Sequence, residues 1–323
     1  MKKLTALILA IISLMSLSLT SCAYSPNPED GRVVLTVGGE KIYYDYFRYV
    51  FLNAKRDLDG GDEKYWENNE DGLDALKKTV LETIVHNRAI ELLAKEHKVA
   101  LTSDEKKGIA DYVKSLKKTD ASFEEGLEDS YLTEYSFLYI QTFTELWRKI
   151  YDYITSDING IIKSDDATVR KDVPVNFRRV RYVMLKIDEK DPEKTLTDAN
   201  YILNKAKDGE DFVSLVRSYS EDADMVAAAS DGCYYTLGQF QPEFESAVEK
   251  LADNGISDPV SVGGHYFIIQ RLPADMEYVE KNLDEFITMY KARIFNEMVA
   301  ELEKTVTVKT SKLWDSLQLS DVK

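Results

Sequence analysis

The sequence predicts an α+β fold in which a central α/β block is set between largely helical segments. Outside the block, apolar residues recur at helical spacing, as at Leu73, Leu76, Val80 and Ile84. Inside it, from Val180 to Leu272, short amphipathic stripes alternate with strand-like runs and glycine turns. This change of pattern indicates two structural parts, one helical and one mixed.

The N-terminus resembles the signal of a lipoprotein. Lys2 and Lys3 precede an apolar run from Leu4 to Leu19, and the lipobox-like sequence LTSC then ends on Cys22. The run is shorter than the roughly 20 apolar residues of a typical transmembrane helix. An uncleaved transmembrane anchor is the alternative interpretation.

We expect residues 1–21 to be a signal peptide, and residues 22–32 to be the lipidated Cys22 followed by a polar tether. The protein would then be exported and anchored to the outer face of the bacterial cell membrane by the lipid on Cys22. Cys233, the second of the 2 Cys in the chain, would have no partner for an internal disulfide.

Residues 33–177 are predicted to form an N-terminal helical domain. Val33 to Phe47 combines a short strand, a Gly-Gly turn and the start of a helix. Leu132 to Ile154 has the spacing of a longer helix that is rich in aromatic residues. Thr102 and Glu105 have the spacing of a capping box, in which each side chain accepts a hydrogen bond from the backbone of the other.

The central block, residues 178–274, is predicted to contain short helices and strands. Apolar stripes run from Ala199 to Ala206, from Phe212 to Tyr219 and from Phe244 to Leu251. Tyr266 to Ile269 is an apolar run of residues that suit a pleated strand.

This block resembles the domain of parvulin-type peptidyl-prolyl isomerases in four segments, which occur in the family's order. They are VRYVML (Val180 to Leu185), KDGEDFVSLVRSYSED (Lys207 to Asp222), YYTLGQFQPEFESAV (Tyr234 to Val248) and GISDPVSVGGHYFIIQRLP (Gly255 to Pro273). The resemblance implies an α/β domain that binds proline-containing segments. An isomerase lowers the peptide-bond barrier of about 18–20 kcal/mol by gripping the twisted amide, so no metal or cofactor is predicted.

The resemblance also assigns site residues. Leu237, Phe240 and Phe244 would line an apolar pocket for the proline ring. Asp222 falls at a polar position that many bacterial parvulins fill with aspartate, and it would face the amide being twisted.

Two positions depart from the family pattern, because Tyr182 and Phe267 stand where parvulins have histidines. His265 lies two residues before Phe267, which displaces its ring along the strand by about 6–7 Å. Packing of Tyr182 on Phe267 would fill the volume without the hydrogen-bond network. We therefore predict reduced or absent isomerase activity. A working isomerase that uses Asp222 and the apolar pocket alone is the alternative.

Residues 275–323 are predicted to return to the helical domain, with a helix over Tyr278 to Glu303 and a strand over Val306 to Val308. The opening strand and turn of the chain resemble those of SurA- and PrsA-type foldases. In those proteins the segments before and after the parvulin domain pack together into one chaperone domain. The resemblance implies a foldase for unfolded or partly folded exported polypeptides. A surface lipoprotein that scaffolds one dedicated partner is a third hypothesis.

The charge of the chain argues against two classes of partner, nucleic acid and anionic lipid headgroups. Its 323 residues have a formal net charge of −16, and loss of Lys2 and Lys3 with the signal peptide makes it −18. Such a surface repels nucleic acid and anionic lipid headgroups, so the lipid would have to hold the protein at the membrane. His86 and His97 have no partner at metal-ligand spacing, which favours surface or packing roles.

Overall fold

The computed structural model describes residues 27–61, 64–67, 69, 71–158, 160–188 and 190–322. The predicted signal peptide and Cys22 lie outside this part of the chain. The described residues divide into two compact units. The first contains the chain up to Tyr151 and from Val299 onward, and the second runs from Asp152 to Met298.

Long helices occur together with two antiparallel sheets, which confirms the predicted α+β class. In chain order the elements are β1 (Val33–Val37), β2 (Glu40–Tyr43), α1 (Tyr44–Asp59), α2 (Lys64–Glu67), α3 (Gly72–Glu96), α4 (Ser103–Thr119), α5 (Phe123–Asp129), α6 (Glu134–Thr155), α7 (Asp166–Asn176), β3 (Phe177–Lys186), α8 (Pro192–Lys207), α9 (Phe212–Tyr219), α10 (Ala223–Ala227), β4 (Cys233–Thr236), α11 (Pro242–Glu249), β5 (Val260–Val262), β6 (His265–Leu272), α12 (Met276–Lys281), α13 (Leu283–Glu303), β7 (Val308–Thr310), α14 (Lys312–Asp315) and a 3₁₀ helix (Leu319–Asp321).

In the first unit, a three-stranded sheet joins the two ends of the described chain. β1 lies between β2 and β7, and Leu35 of β1 is paired with Thr310 of β7. The side chains of Val34, Leu35 and Val37 are fully buried in one core with residues of α1, α3 and α14. Because the N-terminal and C-terminal segments share a sheet and a core, they fold as one body.

The start of α4 shows that local sequence signals act here as predicted. Thr102 Oγ1 accepts a hydrogen bond from the backbone N–H of Glu105 at 3.2 Å, and Glu105 Oε2 accepts one from the N–H of Thr102 at 2.6 Å. Two N–H groups without partners inside the helix are thereby satisfied. The predicted capping box is confirmed.

Two predictions for the last segment need correction. The helix predicted over Tyr278 to Glu303 is two helices, α12 and α13, separated at Asn282. The strand predicted over Val306 to Val308 lies two residues later, as β7. The physical reason is that the backbone N–H of Val306 bonds to the carbonyl of Glu303 and so ends the preceding helix, before pairing with β1 begins.

In the second unit, a four-stranded antiparallel sheet has the order β4-β3-β6-β5. The central strand, β3, is 10 residues long and pairs with β6 along most of its length. Helix α11 packs against β5 and β6, whereas α8 and α9 pack against β6 and β3. The buried core contains side chains from all of these helices and strands.

The second unit also takes in residues 152–177 and 275–298, which the sequence places in the helical domain. Aromatic contacts give the physical reason. The ring of Phe286 on α13 contacts Phe177 at a centroid distance of 5.7 Å and Tyr234 at 4.8 Å. These contacts hold α13 against β3 and β4, and the ion pair between Arg293 and Asp172, at 2.6 Å, joins α13 to α7.

Candidate functional site

Strand register brings together Tyr182 and Phe267, the two residues predicted to stand at the histidine positions of parvulins. Met184 lies opposite Phe267 and Tyr182 lies opposite Ile269. Because side chains alternate between the faces of a sheet, these four residues point to the same side. The rings of Tyr182 and Phe267 meet edge to face, with centroids 5.3 Å apart. The predicted packing of these two rings is therefore present in the structure.

Helix α11 adds Phe244 to this face. Pro242 stands at the first helical position, where its fixed φ suits the helix start. Phe244 and Val248 follow one turn apart and are both buried. The ring of Phe244 contacts those of Tyr182 at 5.7 Å and Phe267 at 5.4 Å, in both cases edge to face.

Two further rings complete the cluster. Tyr235 of β4 meets Phe244 at 6.2 Å with an interplanar angle of 70°. Phe240 lies nearly parallel to Phe244, at 4.5 Å and 17°. Four aromatic rings thus surround Phe244, and its exposed fraction is 1%. We call these five residues the aromatic cluster; its members are Tyr182, Tyr235, Phe240, Phe244 and Phe267.

The loop between β4 and α11 carries Phe240 and is held by side chains. The carboxylate of Glu245 accepts hydrogen bonds from the backbone N–H of Gly238 at 2.8 Å and of Phe240 at 3.0 Å. Gly238 has a φ of +93°, which glycine adopts without a side-chain clash. Leu237, predicted to line the pocket with Phe240 and Phe244, is 55% exposed at the start of this loop.

Asp222 lies beside Tyr182 because the segment that contains Asp222 is hydrogen-bonded to the edge of β3. β4 covers β3 only as far as Val180, and beyond that point the backbone N–H of Glu221 bonds to the carbonyl of Met184. Asp222 Oδ1 then accepts hydrogen bonds from the N–H groups of Asp224 at 3.0 Å and Met225 at 3.1 Å, which caps α10. Its carboxylate is thereby fixed in position.

The other oxygen of Asp222 accepts a hydrogen bond from Tyr182, with the Tyr182 hydroxyl 2.7 Å from Oδ2. Burial, together with the neighbouring carboxylate, raises the pKa of the Tyr182 hydroxyl far above its usual value. The hydroxyl therefore stays protonated and remains a donor at neutral pH. This bond was missed by the sequence reasoning, which expected aromatic packing alone. The sequence did contain a signal for this bond, because residue 182 is a tyrosine, whose hydroxyl can donate to Asp222, and not a phenylalanine.

Tyr235 has a polar group that the sequence did not single out. Its exposed fraction is 2%, and among the described residues its hydroxyl has no hydrogen-bond partner. Burial raises the pKa of this hydroxyl, so it is uncharged. Buried hydroxyls without partners are uncommon in proteins, and each one costs stability.

Two other candidate residues near the aromatic cluster, His265 and Cys233, are not arranged as catalytic groups. The ring of His265 lies 6.2 Å from that of Phe267, in agreement with the expected displacement along the strand. Its Nδ1 is 2.9 Å from the carbonyl of Gly263. Burial, with the charge of Asp222, raises the pKa of the Cys233 thiol to about 11. A thiol of this pKa is protonated at neutral pH and is a weak nucleophile.

Nothing in the described ranges forms a metal centre: no three His, Cys, Asp or Glu side chains there are close enough to share an ion. His86 instead lies with its Nδ1 2.6 Å from Glu303 Oε1 in the first unit. None of the helices between residues 27 and 322 that the structure describes has both the length and the apolar character needed to cross a bilayer.

Comparison with known proteins agrees with the geometry of this unit. Residues 182–272 match the rotamase family, described as the PPIC-type PPIASE domain. The chain carries a parvulin-type domain. The match includes every residue of the aromatic cluster together with Asp222, so the site lies wholly within that domain.

The chain is also similar to foldases along most of its length. It is 25% identical over 281 residues to the foldase protein PrsA of Caldanaerobacter subterraneus, covering 84% of this chain and 82% of that protein. It is 31% identical over 212 residues to PrsA of Geobacillus sp., covering 62% of this chain and 66% of that protein. The crystal structure of PrsA from Bacillus subtilis is 19% identical, covers 85% of this chain and 91% of that chain, and has a TM-score of 0.31.

Proposed function

We propose that this protein is a membrane-tethered extracytoplasmic foldase that assists the folding of exported proteins. The observation that carries the proposal is a parvulin-type domain over residues 182–272, within a chain that is similar to a PrsA foldase over 84% of its length. Its clients would be unfolded or partly folded polypeptides with proline-containing segments. The formal net charge of −16 favours clients that are neutral or basic.

Exposed aromatic residues in the first unit support a role in holding unfolded chains. On α6, Trp147 is 40% exposed, and its ring stacks on Tyr151 with centroids 5.5 Å apart. On α4, Tyr112 is 53% exposed. Large aromatic side chains at a surface give an unfolded segment apolar area to contact, and such side chains contribute much of the energy of many interfaces.

Catalysis by the parvulin-type domain would be weak, for two reasons. Tyr182 and Phe267 would stand at the positions of both family histidines, which would leave a single hydroxyl in place of two imidazoles. The ring of Phe244, which would hold the proline, is 1% exposed and so offers no free face. A twisted amide can be stabilised only by groups that reach it.

One observation favours the second candidate, an isomerase that uses Asp222 and the apolar pocket alone. Tyr182 holds the Asp222 carboxylate by the 2.7 Å hydrogen bond, and a fixed acidic group is what an electrostatic site requires. Acceleration of a proline-limited refolding reaction by the wild-type chain would support this candidate.

The proposal is tested by the range of clients. The purified chain should suppress aggregation of several unrelated unfolded proteins at near-stoichiometric amounts, with an acidic protein of similar size as the control. Protection of one partner only, or of none, would contradict a foldase. The first of these results would favour the scaffold hypothesis.

The membrane tether is tested at Cys22. Since lipidation needs the thiol, Cys22→Ala should remove the lipid and shift the protein from the membrane fraction to the soluble fraction, as measured by fractionation and mass spectrometry. Cys233→Ala is the matched control and should leave the protein at the membrane. Retention of Cys22→Ala with an intact N-terminus would identify an uncleaved anchor.

A further inference from the structure

The ring expected to bind proline is covered in this structure. Phe244 has an exposed fraction of 1%, although it belongs to the site predicted to grip a client. A ligand ring that packs on a phenylalanine needs one face of it free. In this conformation the face of Phe244 on which a proline ring would pack is therefore not accessible.

Among the rings around Phe244, Phe240 differs from the others in geometry. Tyr182, Phe267 and Tyr235 approach at interplanar angles of 87°, 89° and 70°, so they present edges. Phe240 lies nearly parallel at 4.5 Å and 17°, and so covers a face. A bound proline ring that stacked on this face would occupy the space that Phe240 takes now.

Phe240 is also the member of the cluster that is best placed to move. Tyr182, Tyr235 and Phe267 belong to paired strands, and Phe244 to a helix. Phe240 lies in the connection between β4 and α11 and is only partly buried. The conformation of this connection depends on the bonds from Gly238 and Phe240 to the Glu245 carboxylate.

We propose that Phe240 occupies the pocket that binds a client's proline ring and controls access to it. The domain binds a proline ring only after the Phe240 side chain has moved aside. This inference rests on the proposed function, since it names the gate of the same site. The measured affinity for a proline peptide is then the affinity of the open site multiplied by the fraction of open molecules. Glu245 acts as a positioning residue that favours the closed loop.

The first experiment measures binding of a fluorescein-labelled tetrapeptide with a central Phe-Pro pair to the full chain by fluorescence anisotropy. If the open form is about a tenth of the wild-type population, Phe240→Ala should bind about tenfold more tightly. Leu196→Ala is the matched control, because it removes an exposed apolar side chain from α8, outside the predicted binding pocket. It should change the affinity by less than about twofold. The corresponding peptide with alanine in place of proline should show no gain with any variant.

A second variant keeps all five rings. Glu245→Gln weakens the acceptor for the N–H groups of Gly238 and Phe240 without removing apolar volume. Glu245→Gln should also tighten binding of the proline peptide. It becomes the deciding variant if near-ultraviolet circular dichroism shows that the binding pocket has collapsed in Phe240→Ala. Unchanged or weaker binding in both variants would overturn the gate and make Phe240 a wall of the pocket. Failure of every protein to bind the peptide would overturn it as well.

The same preparations separate this inference from the proposed function. Suppression of client aggregation by the wild-type chain reports on the foldase, whereas the response of peptide binding to Phe240→Ala and Glu245→Gln reports on the gate. A chain that protects clients but shows no response is a foldase without a gate. A chain that responds but protects no client has the gate and lacks the proposed function.

Discussion

Two groups of aromatic residues, one in each unit, differ in exposure. In the first unit, Trp147 and Tyr112 are 40% and 53% exposed. In the second, the rings of the aromatic cluster turn towards Phe244, which is 1% exposed. The aromatic side chains that we propose to hold unfolded chains therefore lie at the surface of the first unit, whereas Phe244 of the parvulin-type domain is covered. The number of aromatic residues in a unit does not by itself show whether they lie at the surface or in the core.

The largest effect is expected from separating the units. A chain that joins residues 27–151 to residues 299–323 through a flexible linker retains the β2-β1-β7 sheet and the exposed aromatic side chains. We expect it to fold and to suppress client aggregation in a light-scattering assay, and we expect residues 152–298 alone to have little effect. Protection found only with residues 152–298 would reverse the comparison and return the holding role to the parvulin-type site.

Truncation of one aromatic residue in each unit should show the same contrast in stability. Phe244→Ala removes a fully packed ring and should destabilise the second unit by about 3–5 kcal/mol. Trp147→Ala removes a ring that is 40% exposed and should cost about 1 kcal/mol or less in the first unit, while weakening client protection. Hydrogen exchange of the amides in each unit measures both changes. Equal costs would show that Trp147 is a core residue and remove it from the holding surface.

Introduction of histidines at Tyr182 and Phe267, the two predicted family positions, tests whether their replacement explains the weak catalysis that we propose for the second unit. If the imidazoles matter through hydrogen bonds that orient the site, Tyr182→His combined with Phe267→His should raise isomerase activity on a proline peptide. The substitutions should also cost about 1–3 kcal/mol for each polar group left without a partner. The single change Tyr182→His is the control. High activity of the wild-type chain that Phe244→Ala abolishes and the histidines do not alter would favour a site based on shape.

The smallest effect is expected from the hydroxyl of Tyr182. Tyr182→Phe keeps the ring and removes the bond to Asp222, at a cost of about 0.5–1.5 kcal/mol at neutral pH. Because the pKa of Tyr182 is raised on folding, its contribution to stability is complete below the unfolded value of about 10 and is lost as pH rises above it. Urea unfolding at pH 7 and pH 11 should therefore show a smaller fall in stability for Tyr182→Phe than for the wild type.

Tyr235→Phe is the matched control for the measurement at pH 7. It removes a buried hydroxyl that has no partner among the described residues, so it should leave stability at neutral pH unchanged or slightly higher. A loss of stability as large as that of Tyr182→Phe would show that the Tyr235 hydroxyl has a partner such as a bound water.

Several parts of the fold could be predicted from local sequence signals. The capping box of Thr102 and Glu105, the helix Phe212–Tyr219 and the position of His265 two residues from Phe267 each depend on residues a few positions apart. Their conformations follow from backbone hydrogen bonding and strand spacing, which hardly depend on the rest of the molecule. The broad α+β class follows from apolar periodicity in the same way.

The arrangement of the site depends on contacts between residues far apart in the chain. The sequence alone determined that Tyr182, Asp222, Phe240 and Phe244 belong to one domain, and it predicts that Tyr182 and Phe267 stand at the histidine positions of parvulins. Only the tertiary structure decided that Tyr182 bonds to Asp222, 40 positions away, and that Phe240 covers Phe244 while Leu237 is exposed. The physical reason is that strand register and side-chain packing depend on all residues of the core at once. A local sequence pattern therefore does not predict which ring covers which face of another.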